Sequence, residues 1–308
     1  MKTYFLVFIT LFSVSVIAQE QDYSSQDLVI NKHIEGTLLL PNNTDKPNLA
    51  IIIAGSGPTD RNGNQNFLKS NTLKKLAIGL TTNNIATFRY DKRVVKQIRE
   101  NKVDKDIMFD DFVTDASSVI DYFKQQNKYN KIFVVGHSQG SLVGMLAAKG
   151  KADGFVSLAG AGQTIDNVIL EQVEKTAPQF TEDTKRVFKI LKEGKTTTDY
   201  PLALSSIFNL DVQKFIMNWM TYNPTEIMKT LDMPSLIING TKDLQVSEAE
   251  ALLLKEASPK AELKIIENMN HVLVTIIGGD LDNSKSYNES QRPLAPELID
   301  SIVLFINK

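Results

Sequence analysis

The 308-residue chain contains no cysteine. That absence excludes disulfides, a thiolate nucleophile and any zinc–thiolate site. Histidine is scarce and confined to His33, His137 and His271, so imidazole chemistry has three candidates at most. No run of five like charges occurs and the formal net charge is −2. Counterion-driven binding to nucleic acid and a polybasic membrane patch are therefore not expected. Internal repeats are absent. With 16 glycines and 10 prolines, the chain is neither collagen-like nor of low complexity. What remains is 42% hydrophobic and 23% charged, the balance of a globular protein able to bury a large core rather than of a disordered one.

Residues 1–18 stand apart. A single cation, Lys2, precedes an apolar stretch from Tyr4 to Ala18, and Val16 and Ala18 occupy the −3 and −1 positions before Gln19. This is the layout of a secretory signal peptide. The stretch falls short of the roughly 20 residues that span a bilayer, and the junction lacks the cysteine of a lipoprotein anchor. The expectation is an exported protein, periplasmic or secreted, comprising residues 19–308 and without a stable membrane anchor after cleavage.

The remainder alternates. Residues 27–40 read as two short strands around Asn31 and Glu35-Gly36, a hairpin. Residues 48–54 form an apolar run suited to a buried parallel strand. A helical pattern follows over 67–82, a strand over 85–89, a helix over 109–126, a strand over 131–136, a helix over 138–149 and a strand over 154–159. Alternation of this kind argues a mainly parallel, doubly wound sheet with helices on both faces. It stops at about 163–230, which is helical in pattern and carries Phe215, Met217, Trp219 and Met220. It resumes with a strand at 235–239, a helix at 247–256, a strand at 261–267 and a helix at 295–307. The simplest architecture is one α/β domain with a helical cap of about 68 residues inserted between two strands.

Within this frame, Gly136-His137-Ser138-Gln139-Gly140 lies between a strand and a helix, the setting that the G-x-S-x-G nucleophile elbow requires. A serine hydroxyl needs a base, and in this fold the partners follow in the order serine, acid, histidine. His33 precedes the elbow, and His137 adjoins Ser138 with its side chain directed away from the hydroxyl. Only His271 follows, in a loop after the strand ending near Ile266. The acid expected after the preceding strand is Asp243. Two N–H donors for an oxyanion are expected at Gln139, next to the nucleophile, and at Ser56 in Gly55-Ser56-Gly57-Pro58. That loop lacks the Gly-Lys-Ser/Thr ending of a phosphate loop.

These residues resemble the α/β-hydrolase family, and within it the exported bacterial esterases of the serine aminopeptidase-like branch. The likeness spans about residues 34–307. It rests on Gly55–Asn64, Phe88-Arg89-Tyr90-Asp91-Lys92-Arg93, the elbow, Ile238–Val246 and Met269-Asn270-His271. It implies an α/β-hydrolase fold with a catalytic triad of Ser138, Asp243 and His271 beneath a helical cap. It also implies a small-molecule ester as substrate, of short- to medium-chain acyl type, and no metal or organic cofactor. Two positions depart from the pattern. Ala54 stands where relatives often carry histidine, and Val94, Val95 and Lys96 stand where they often carry glycines. Asp60, Arg61, Asp91 and Arg93 are expected to form a structural ion-pair network. Phe215, Met217, Trp219 and Met220 are candidates for an acyl pocket. The same residues admit a peptidase or amidase of this fold. A secreted binding protein on a retired hydrolase scaffold is the alternative from another class, and the intact serine, aspartate and histidine argue against it.

Overall fold

The computed structural model describes residues 22–308; the leader-like segment 1–18 lies outside them. Eight strands form one sheet in the order β1-β2-β4-β3-β5-β6-β7-β8. β1 (Tyr23–Val29) and β2 (Glu35–Pro41) make the antiparallel hairpin, whose turn is fixed by the Asn31 side chain accepting from the His33 and Ile34 amides. β2 then pairs antiparallel with β4 (Ala86–Tyr90). All later pairings, through β3 (Leu49–Ile53), β5 (Ile132–His137), β6 (Gly154–Leu158), β7 (Ser235–Gly240) and β8 (Glu262–Ile266), are parallel. Parallel strands are covered on both faces, so they read as unbroken apolar runs. β3 is buried at every residue, and its side chains go alternately to opposite layers.

Helix α1 (Thr72–Thr81) presents Leu73, Leu76, Ala77 and Leu80 to one face of the sheet, and α12 (Pro296–Ile306) joins it there. Spacings of three and four residues place these side chains on one stripe. The helix starts at Thr72 rather than near residue 67, because Asn71 adopts a left-handed φ of 53°. The opposite face is covered by α3 (Phe109–Gln126), α4 (Gln139–Ala148) and α10 (Glu248–Ala257). Two short helices have no counterpart in the sequence pattern, α2 (Arg93–Arg99) and α11 (Asp280–Ser286). α2 forms where valines and a lysine replace the expected glycines, and it buries Val95.

Between β6 and β7 the chain is helical: α5 (Ile165–Thr176), α6 (Thr181–Lys192), α7 (Ser205–Phe208), α8 (Leu210–Met220) and α9 (Pro224–Met228). Helices α5 to α8 enclose a core of their own around Val187, Phe188, Leu191 and Phe208. Met228 of α9 belongs instead to the core beneath the sheet. The independently packed excursion therefore ends before residue 230. Among the described residues, no helix is long and apolar enough to cross a membrane.

Candidate active site

β5 ends in a forced turn. Ser138 takes φ 54° and ψ −123°, a conformation that costs an L-residue on the order of 1–3 kcal/mol. Its amide donates to the Leu158 carbonyl (2.8 Å), and its own carbonyl accepts from Ser141 (2.8 Å). The flanking glycines are steric necessities. A Cβ at Gly136 would run into the Gly140 carbonyl, and one at Gly140 into the carbonyls of Ile53 and Ala54. The turn lifts Ser138 above the sheet at the N-terminus of α4, where helix N–H groups favour developing negative charge.

Asp243 and His271 come together from loops following β7 and β8. Asp243 Oδ2 accepts from His271 Nδ1 at 2.8 Å, and the two side chains are 0% and 6% exposed. The other carboxylate oxygen, Oδ1, accepts from the Gln245 and Val246 amides at 2.8 and 2.9 Å. Because the carboxylate can only accept, Nδ1 carries the imidazole proton and Nε2 presents its lone pair. Ser138 and His271 line the same cleft without a direct hydrogen bond; such bonds are often long in unliganded sites and tighten with substrate.

The His271 loop is pinned by its neighbour. Asn270, fully buried, donates to Asn283 Oδ1 and Ser286 Oγ on α11, both at 2.8 Å. Asn283 in turn donates to the Lys242 carbonyl (2.7 Å). The two loops that carry Asp243 and His271 thus share one buried polar network, which sequence reasoning missed. The signal was the asparagine directly before the histidine.

His137 also has a role that the sequence did not indicate. Its Nε2–H donates to the His271 carbonyl (2.8 Å), and the two rings lie 5.0 Å apart. Burial, together with nearby His271, pushes its pKa down to about 4, so it stays neutral and acts as a strut rather than a base. An unfolded histidine titrates near 6.5, so the unfolded chain binds the extra proton between these values. The stability associated with a neutral His137 is complete above about pH 6.5 and is lost as pH falls towards 4. Lowering the pH from 7.5 to 5 is expected to cost the native protein up to about 2 kcal/mol through this residue. Urea unfolding at both values, compared with His137→Gln, checks it, because the variant lacks that part of the acid slope. His33 lies in the hairpin turn, away from these groups.

The loop after β3 packs directly on the elbow: a Cβ at Gly55 would stand 3.2 Å from the Ser138 Cβ. Ser56 is held by its carbonyl, which accepts from Thr59 Oγ1 (2.8 Å) and Gln65 Nε2 (2.9 Å). Ser56, Ser138 and the buried Gln139 share one cavity wall. Between the two segments lies Lys92, two residues past the end of β4 and directly before α2. Its Nζ donates to the Gly55 carbonyl (3.0 Å) and to Gln139 Oε1 (2.7 Å), and sits 4.3 Å above the Phe112 ring. It forms no ion pair among the described residues, and burial pushes its pKa down to about 7.

Ser138 stands between two spaces. Under α5 and α8 lies a cavity of about 760 Å³, walled mainly by apolar side chains that include Leu142, Val168, Ile169, Phe215 and Trp219. On the His271 side lies a cleft of about 350 Å³ whose wall includes Gln65, Ser70, Thr72 and Tyr287. Phe215 and Trp219, four residues apart, share the cavity face of α8 and also pack against Phe109 of α3. Met217 and Met220 do not line the cavity, contrary to the sequence expectation. They sit on another face of the same helix and pack into the core of the excursion.

The expected four-residue ion network is two clusters instead. Arg61 pairs with Asp91 (2.9 Å), Asp27 and Glu35, and Asp91 also takes Arg99 (2.7 Å). Arg93 pairs separately with Asp111 and Asp115 on α3. Asp60 makes a turn, accepting from the Asn62 and Asn64 amides.

The strand order, the elbow and the loop origins of Asp243 and His271 define an α/β-hydrolase. The chain belongs to the serine aminopeptidase, S33 family, whose profile matches residues 69–275. It is similar to esterase EstD of Thermotoga maritima, with 25% identity over 266 residues, which make up 83% of this chain and 61% of that protein. In structure it resembles Est1E from Butyrivibrio proteoclasticus (TM-score 0.57, 17% identity, 92% of this chain and 99% of that one). It likewise resembles the Pyrococcus furiosus esterase Pf2001 (TM-score 0.56, 13% identity, 97% and 94%). At such identities the structural likeness speaks for the fold.

Proposed function

We propose that this protein hydrolyses carboxylic esters of short- to medium-chain acids through an acyl-enzyme on Ser138. The observation that carries the reading is the buried Asp243–His271 pair, with its Nε2 lone pair free, lining one cleft with a serine held in a strained elbow. His271 Nε2 takes the Ser138 proton as Oγ bonds to the ester carbon. The Gln139 and Ser56 N–H groups hold the resulting oxyanion. His271 then passes the proton to the departing alkoxide, and water repeats the sequence on the acyl-enzyme. The likeness to EstD supports ester over amide chemistry.

The two spaces beside Ser138 orient the substrate. The leaving alcohol must face His271 to receive its proton, so it occupies the smaller cleft with Gln65 and Tyr287. The acyl chain then enters the apolar cavity beneath α8. Each methylene buried there contributes about 0.8 kcal/mol, or roughly a three- to fourfold gain in kcat/KM. A panel of p-nitrophenyl esters of increasing chain length, run with aminoacyl anilides, is expected to show that rise from acetate to about the hexanoate, with slower anilide turnover. Phe215→Ala flattens the rise. A fluorophosphonate is expected to label Ser138. Absence of label would overturn the reading in favour of a binding protein, and faster anilide turnover in favour of a peptidase.

A further inference from the structure

We propose that Lys92 is a positioning residue that holds the two segments of the oxyanion-binding site together and polarises the N–H of one of them, Ser56. The inference rests on the ester-hydrolase reading above and extends it to a residue outside the triad.

The argument starts from connectivity. The Gly55 carbonyl and the Ser56 N–H belong to one planar peptide unit. An ammonium on that carbonyl oxygen fixes the plane and draws electron density from the amide, so the Ser56 N–H is aimed and made a stronger donor. The same Nζ binds the side chain of Gln139, the residue that supplies the second N–H. One side chain therefore ties the loop after β3 to the start of α4, the two segments expected to supply the oxyanion donors. Lys92 lines the cavity together with Ser56, Ser138 and Gln139.

Its surroundings separate this role from ordinary anchoring. Lys92 is only 6% exposed, and its neighbours are two neutral oxygens and an aromatic face. Buried charges in proteins are normally paired, and the adjacent Arg93 illustrates this with its two aspartates. Lys92 has no such partner among the described residues. The tetrahedral intermediate supplies one, because its oxygen carries negative charge only then. Stabilisation that exists in the transition state and not in the ground state raises kcat rather than lowering KM. Burial that pushes the ammonium down to about 7 is the same lack of a partner seen from the lysine.

Lys92→Met keeps most of the length and the apolar volume and removes the charge. It is expected to lower kcat on p-nitrophenyl butyrate by roughly 100- to 1000-fold, with KM within about threefold of the wild type. Affinity for an alkyl boronate or trifluoromethyl ketone, which forms a tetrahedral anion on Ser138, should fall by the same factor as kcat/KM. Lys92→Gln covers the case in which the methionine variant does not fold, and should show the same parallel loss. Lys92→Arg, which retains a cation, should lose less than either. A folded neutral variant that binds the analogue as tightly as wild type, or that raises KM at unchanged kcat, overturns the proposal. If wild type itself hydrolyses no ester and takes no fluorophosphonate on Ser138, the ester-hydrolase reading fails instead. An active wild type matched by Lys92→Met sinks the lysine alone.

Discussion

Ser138→Ala is expected to lower ester turnover by roughly ten-thousand- to million-fold, the range seen when a triad nucleophile is removed. Steady-state rates on p-nitrophenyl esters measure it, and fluorophosphonate labelling should disappear at the same time. The loss is chemical and not structural, because the Ser138 Oγ takes part in no hydrogen bond that holds the elbow; the Ser138 backbone groups do that. A second replacement at the same position makes the point sharper. Ser138→Gly should be equally inactive yet more stable, by about 1 kcal/mol, because glycine occupies φ 54° without the penalty an L-residue meets. Thermal or urea unfolding of wild type, Ala and Gly variants gives the order. A glycine variant less stable than the alanine one would contradict the strained-turn account, and retained turnover in either would contradict the nucleophile assignment.

Asp243→Asn should cost nearly as much, about ten-thousand-fold in kcat, for a reason specific to this carboxylate. Its Oδ1 accepts from two backbone N–H groups, so in an asparagine the carbonyl oxygen must take that place. The amide NH2 is then forced towards His271 Nδ1. That nitrogen can only accept from it, the imidazole proton moves to Nε2, and no lone pair remains to receive the serine proton. The fold should survive, since shape and the two backbone bonds are kept. A variant with wild-type activity would mean that His271 is not held as described. NMR of the imidazole nitrogens would report the tautomer directly.

Much of this was legible in the sequence because the informative features are periodic or tightly constrained. Strands buried on both faces write continuous apolar runs, as at Leu49–Ile53. The elbow writes two glycines that no other residue can replace, and chain order separated His271 from His33 and His137. Features depending on three-dimensional packing left weaker traces. α2 and α11 span seven residues each, too few turns to establish a period. α8 is apolar on more than one face, so sequence could not show that Phe215 and Trp219 face the cavity while Met217 and Met220 face inward. Asn270 and Lys92 are polar residues of the kind usually left on the surface, and only their burial and hydrogen bonds single them out. The ion clusters were hidden for a related reason: sequence does not show side-chain direction, and Arg93 points to α3 while Arg61 points towards the hairpin.

The separate core of the α5–α8 excursion bears on how such a protein changes over generations. Val187, Phe188 and Phe208 are packed among their own helices, while Asp243 and His271 hang from β7 and β8 and are locked together through Asn270 and Asn283. Drift within the excursion can reshape the wall presented by Phe215 and Trp219 while the reacting atoms keep their places. If the cavity holds the acyl group as proposed, selectivity and chemistry are exposed to selection largely separately. One restraint is the contact of α8 with Phe109 and Phe112, a seam along which a lineage exploring new acids would have to coordinate its substitutions.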